Sequence, residues 1–207
     1  IFWNHPGWKR PANWYPDIDA YYREKLLDGF EIINETETYP GTLGWAEEKK
    51  LALFANSDVH ATFEPQDART RRPVTLVFAR TADLAGLREA LEARRTAAWL
   101  RDDVWGAEEF LRGLWQEAIK VAPSHLVFTA QERRSGLRVE NKSAIPFRVS
   151  VKNTPAWLFV SAGEIPGQRT VFAPVSVGKD APAGEHRLEL TLEVTSLHIA
   201  PGKGLTV

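Results

Sequence analysis

Short apolar runs that stop abruptly at polar residues set the pattern of the first half of the chain. Ile1-Phe2-Trp3 stops at Asn4-His5 before a Pro6-Gly7 turn. Phe30 to Ile33 stops at Asn34-Glu35 ahead of Pro40-Gly41, and Leu51 to Ala55 stops at Asn56-Ser57-Asp58. Each run reads as a short buried strand. Between the first two, Pro16-Asp17 opens a helix within residues 14–28, and Gly29 suits its end. A second helix is expected over about residues 42–50. Three successive β units therefore bring polar side chains to one edge, the carboxyl ends of the strands, where α/β layers and barrels gather ligands.

The chain continues with a strand over Val74 to Ala79. A helix follows, with Thr81 as its cap, Asp83 in the positive first turn and Leu84, Leu87 and Leu91 as its buried stripe. Thr96 to Leu100 is a further strand, and Trp105-Gly106 breaks the pattern. Ala107 to Val121 reads as an amphipathic helix with Phe110, Leu111, Leu114 and Trp115 inward. After Ala122-Pro123-Ser124 the period changes to two. Leu137/Val139, Phe147/Val149/Val151, Trp157/Phe159 and Leu188/Leu190/Leu192/Val194 alternate between turn clusters. That pattern predicts an Ig-like β-sandwich, so the expected domains are 1–121 and 122–207.

Composition narrows the chemistry. With 43% hydrophobic and 26% charged residues among 207, the chain can bury a real core. A net charge of −1 and no basic stripe give no case for nucleic acid. No segment is long and apolar enough to cross a membrane as a helix. Without cysteine, any metal must be held by His, Asp, Glu, carbonyl or water. A chain without methionine is not expected to be a full translation product, so a segment upstream of Ile1 is expected.

Asp58 and His60, one residue apart just past a strand's carboxyl end, offer an oxygen donor and an imidazole to a divalent ion. The alternative is a turn-capping Asp beside an incidental His. His5 occupies the equivalent place on the first strand, against the alternative of a core or loop histidine. Trp8, Lys9 and Arg10 follow it; they read either as a stacking and phosphate-binding wall or as packing and a solvated turn. The polar stretch from Glu64 to Arg72, with Arg69, Arg71 and Arg72, reads as a solvated loop or an anion clamp.

Asn4-His5-Pro6-Gly7 and Ser57-Asp58-Val59-His60 resemble, in this order, the third and fourth motifs of the PHP (polymerase and histidinol phosphatase) family of metal-dependent phosphoesterases. Gly29-Phe30-Glu31-Ile32-Ile33-Asn34 resembles the strand between them, and Arg94-Arg95-Thr96 the closing helix-to-strand turn. The resemblance covers about residues 1–105. It implies an α/β fold: part of a distorted seven-stranded (βα) barrel of PHP type, ahead of the all-β unit. It also implies two or three divalent ions (zinc, manganese or iron) at the strands' carboxyl ends, acting on a small phosphorylated substrate.

Residue by residue, His5, Asp58 and His60 carry over as metal ligands, and Asp58 and His60 as the catalytic pair. Glu31, Asn34 and Glu35 match no invariant ligand; Asn34 and Glu35, with Trp8, Lys9 and Arg10, stay as substrate-facing candidates. The family's first motif, His-x-His, and its second, with a bridging Glu and a further His, are absent from these 207 residues. The other barrel half is therefore expected from the same gene upstream of Ile1, or from a partner chain. The competing reading is a metal-free scaffold or binding protein whose sandwich recognises a glycan or a protein. A periplasmic or secreted location is favoured over a cytoplasmic one because of the appended sandwich.

Overall fold

The computed structural model describes residues 1–60 and 72–207, and the chain is a mixed α/β protein in which strands outnumber helices. It divides into two compact units, 1–111 with 197–203, and 112–196 with 204–207.

In the first unit the elements run β1 (Phe2–Trp3), α1 (Pro16–Arg23), β2 (Gly29–Asn34), β3 (Glu37–Thr38), α2 (Leu43–Lys49), β4 (Ala52–Asn56), β5 (Val74–Val77), α3 (Leu84–Glu92), β6 (Thr96–Leu100), β7 (Asp103–Gly106) and the start of α4 (Glu108–Ala118). β1 and β4 both lie parallel to β2, with Trp3 opposite Phe30 and Asn34 opposite Asn56. The three carboxyl ends therefore share one edge, as the punctuation of the sequence predicts. All six residues of β2 are buried, as a parallel strand covered on both faces requires. The register shifts between Glu31 and Ile33, a bulge that re-aims the side chains on either side of it. Gly29 is required where β2 begins: a Cβ there would sit 2.5 Å from the Ala52 carbonyl oxygen.

β4 pairs with β2 on one side only. On its other side Leu53 N–H donates to Thr96 Oγ1 (2.9 Å) and Ala55 N–H to Thr75 Oγ1 (2.9 Å), while the Thr75 hydroxyl donates back to the Ala55 carbonyl (3.2 Å). Two side chains thus occupy the place of a neighbouring strand and satisfy backbone groups that an open sheet edge would leave unpaired. Thr75 and Thr96 stand on the antiparallel ladder β5–β6–β7. Phe30, Ile32, Ile33, Leu43, Leu53 and Leu100 form the core beneath. Trp3 stacks on Trp45 (5.6 Å, 6°), and Trp14 meets both edge-on.

Three local expectations are corrected here. The cap of α3 is Asp83, not Thr81: the Asp83 carboxylate accepts from Gly86 N–H (2.7 Å), and the Thr81 hydroxyl bonds that same carboxylate (3.1 Å). The buried face of α3 is Gly86 and Ala90, whereas Leu84 and Leu87 are exposed. A Cβ on Gly86 would come within 2.4 Å of the Thr81 carbonyl, so the turn that precedes the helix requires glycine at this position. Trp105-Gly106 is no break but the end of β7, where Trp105 lies opposite Ala98 and stacks on His198 (4.9 Å).

The second unit contains two antiparallel sheet arrangements. One orders β11 (Leu158–Val160), β13 (Arg169–Val177), β9 (Arg134–Asn141) and β8 (Ile119–Ala122); in the other, β10 (Phe147–Val151) lies between β12 (Glu164–Ile165) and the first residues of β14 (Leu192–Ala200). β15 (Lys203–Thr206) pairs with β14. Asn141, buried, ties this unit's turns together: its amide donates to the carbonyls of Ile145 (2.8 Å) and Ile165 (3.2 Å).

Two alternations predicted here shift. Leu158 is the buried residue of β11 and Phe159 points outward, a one-residue slip that exchanges the faces. Leu188 and Leu190 precede β14, which starts at Leu192. The partner β10 ends at Val151, and Asn153 Oδ1 accepts the Thr191 N–H (2.5 Å), closing the ladder.

Candidate metal edge

The site is built from the residues that follow β1, β2 and β4. His5 follows β1 in a left-handed backbone (φ 30°), Glu35 follows β2 (φ 54°) and Asp58 follows β4 (φ 50°). For non-glycine residues such angles are uncommon, and their clustering at one edge is a mark of functional sites. The His5-Pro6-Gly7-Trp8 turn closes with Trp8 N–H on the His5 carbonyl (3.0 Å). The Tyr39 ring fills the space beside Gly7, where a Cβ would lie 2.5 Å from it.

Asp58 and His60 come together, with His60 Nε2 3.3 Å from Asp58 Oδ1; their side chains are 42% and 86% exposed. They form an open pair rather than a buried one. Among the described residues no group of three His, Asp or Glu side chains is gathered closely enough to hold an ion. Within residues 1–60 and 72–207, the edge therefore offers a donor pair and, on a separate strand, the half-buried His5.

The hub of the edge is Glu31, only 2% exposed. Its Oε2 accepts the His5 backbone N–H (2.5 Å) and the Asn34 amide (3.2 Å), and its Oε1 accepts the Asn56 amide (2.6 Å). Glu35 N–H donates to the Asn56 carbonyl (2.9 Å). Asn34 is buried and committed to Glu31, and Glu35 is exposed at the rim. Glu31 is not among the site candidates read from the sequence; the signal that could have found it is that it is the one acid inside an otherwise apolar run.

Tyr39 donates its hydroxyl to Glu37 (2.7 Å). Burial, then that bond and the negative charges of Glu37, Glu31 and Asp58, push its phenol well above the ordinary tyrosine value. It therefore remains a protonated donor beside the edge at any physiological pH.

The rim after His5 is aromatic and basic. Trp8, 53% exposed, meets His5 edge-on (5.1 Å) and carries the Lys9 ammonium 4.0 Å from its ring centre. The Arg10 guanidinium lies 3.8 Å from the ring of Tyr15. Both cations sit on aromatic faces, an attraction that in the case of Lys9 holds the ammonium over the ring that meets His5. Of the expected anion clamp, Arg69 and Arg71 lie outside the described residues, and Arg72 is within them.

The fold is similar to that of a solved two-domain protein from Bacteroides vulgatus ATCC 8482 containing a predicted PHP-like metal-dependent phosphoesterase, matched with a TM-score of 0.83 and 26% identity. The match covers all of this chain and 60% of that one. No family model matches the chain, and no curated protein matches it. Among the described residues no helix is long and apolar enough to cross a membrane.

Proposed function

We propose that this chain forms one side of a metal-dependent phosphoesterase centre that hydrolyses small phosphoric mono- or diesters. The observation that supports the reading is the shared edge: β1 and β4, both parallel to β2, are followed by His5 and by Asp58 and His60, in a fold like that of a protein containing a predicted PHP-like phosphoesterase. One carboxylate and two imidazoles, without thiolate, suit zinc, manganese or iron. The donor types fit, while their number is short of two or three ions. In this reading the remaining ligands come from protein outside these 207 residues; the chain spans 60% of the solved counterpart's length. The first unit is then part of a distorted (βα) barrel, and the second an Ig-like sandwich appended to it.

A bound divalent ion supplies Lewis-acid polarisation of a phosphoryl oxygen and a more acidic bound water. The chain supplies the rest. Asp58 would contribute a carboxylate oxygen, and His5 and His60 ring nitrogens. In an alternative role, not bound to the ion, His60 would hand a proton to the leaving oxygen. Lys9 and Arg10 attract the substrate's phosphate, and Trp8 offers a face to an attached sugar or base.

The test is elemental analysis of the intact protein after expression in metal-replete medium, with hydrolysis of p-nitrophenyl and bis-p-nitrophenyl phosphate. Asp58→Ala and His60→Ala should each lower bound metal and turnover together. Retention of both in either variant removes that residue from the centre. The absence of a three-donor group among the described residues favours a second reading, a metal-free scaffold. Less than one equivalent of transition metal in the wild-type protein would select it.

A further inference from the structure

We infer that Glu31 is the positioning residue of this edge: a buried carboxylate that holds the His5 and Asp58 segments in place through their backbones and neighbours. The inference rests on the phosphoesterase reading for its consequence, metal affinity, but the clamp itself is a property of the chain alone. A carboxylate that is 2% exposed is costly inside a protein unless it is fully hydrogen-bonded. Among the described residues Glu31 accepts from three donors, all neutral, and they stand on three different segments. They are the backbone N–H of His5 after β1, the Asn34 amide at the end of β2, and the Asn56 amide at the end of β4.

Each donor is adjacent to something the edge needs. His5 is itself a proposed ligand, with its backbone at φ 30°; an amide donating to a carboxylate at 2.5 Å is a charge-assisted bond strong enough to hold such a conformation. Asn56 lies two residues before Asp58, which is also left-handed at φ 50°. Asn34 precedes Glu35, whose N–H is bound by the Asn56 carbonyl. A core-filling role alone would be met by an apolar side chain, as in Phe30, Ile32 and Ile33 on the same strand. The carboxylate does what they cannot, since it accepts from two neighbouring strand ends at once. A residue that orients ligands in this way typically changes metal affinity 10- to 100-fold when altered.

The variants are Glu31→Gln, which keeps the volume, and Asn56→Ala, which removes one donor and leaves the carboxylate. Hydrogen–deuterium exchange on the intact protein without metal is read together with Zn²⁺ affinity by titration. Expected in both variants is faster exchange, about tenfold or more, confined to the amides of residues 4–5 and 56–59, with the amides of β5 and β6 unchanged. Zn²⁺ affinity should fall 10- to 100-fold in Glu31→Gln. The double variant should fall by less than the product of the two single effects, since both break one network. Uniform acceleration across the first unit, or none, overturns the inference, because a purely structural role moves every amide together. Should wild-type protein bind no Zn²⁺ while the local acceleration persists, the phosphoesterase reading fails and the clamp stands. Should Glu31→Gln not fold, Asn56→Ala decides by the same exchange pattern.

Discussion

Replacing Thr96 by valine should destabilise the protein even though it adds apolar surface to the core. Thr96 is 2% exposed and its hydroxyl accepts the Leu53 N–H at 2.9 Å. Valine has nearly the same shape but no acceptor, so that amide would be left buried and unpaired, at about 1–3 kcal/mol. Serine keeps the acceptor and loses one methyl group, about 1 kcal/mol of transfer and packing. Area bookkeeping alone ranks valine equal to or above the wild type. Hydrogen-bond accounting ranks it below, and at or below serine. Urea unfolding followed by tryptophan fluorescence separates the two. With a slope of roughly 1–3 kcal/mol/M, the Thr96→Val midpoint should fall by on the order of 1 M. Amide exchange at Leu53 should rise in valine and change far less in serine. A Thr96→Val midpoint at or above that of the wild type would refute the view that side-chain hydroxyls close the free side of β4.

Gly29→Ala should cost about 1–3 kcal/mol, because its Cβ would meet the Ala52 carbonyl and the Phe54 ring at 2.5 and 2.7 Å; a thermal melt that matches the wild type would contradict this. The α3 cap should be acid-sensitive. The Gly86 N–H bond, with the Thr81 hydroxyl, holds the Asp83 carboxyl below its ordinary value of 3.8. Its stabilising contribution is therefore complete above that pH and is lost as pH falls through the lower folded value. Protection of the first-turn amides of α3, taken relative to their intrinsic exchange at each pH, should fall below about pH 4 in the wild type and stay level in Asp83→Asn, which caps without titrating; identical protection profiles would argue against the carboxylate cap.

The strand ends were legible because Pro-Gly and Asn-Ser punctuation cuts the apolar runs where the strands stop, and polar side chains follow directly. Leu84, Leu87 and Leu91 misled because helical spacing counts hydrophobicity alone, whereas the buried face of α3 carries Gly86 and Ala90, with Gly86 held against the Thr81 turn. Trp157 and Phe159 misled because β11 is three residues long, and in so short a strand either face can be read as the inner one. Thr75 and Thr96 carried no signal at all, since which hydroxyl meets which strand depends on contacts 20 and 43 residues apart. Glu31 was visible as an acid in an apolar run, yet its three donors belong to segments that only the fold brings together.

His5, Glu35 and Asp58 all adopt backbone angles in which glycine is at ease and an L side chain is worse off by roughly 1 kcal/mol or more. The candidate groups of this rim thus stand on the very positions where a plain glycine would make the protein hardier. Under the phosphoesterase reading, selection for heat tolerance alone would therefore be expected to replace them one at a time. A variant collection ranked only by melting temperature would then rise in stability while the proposed centre was lost.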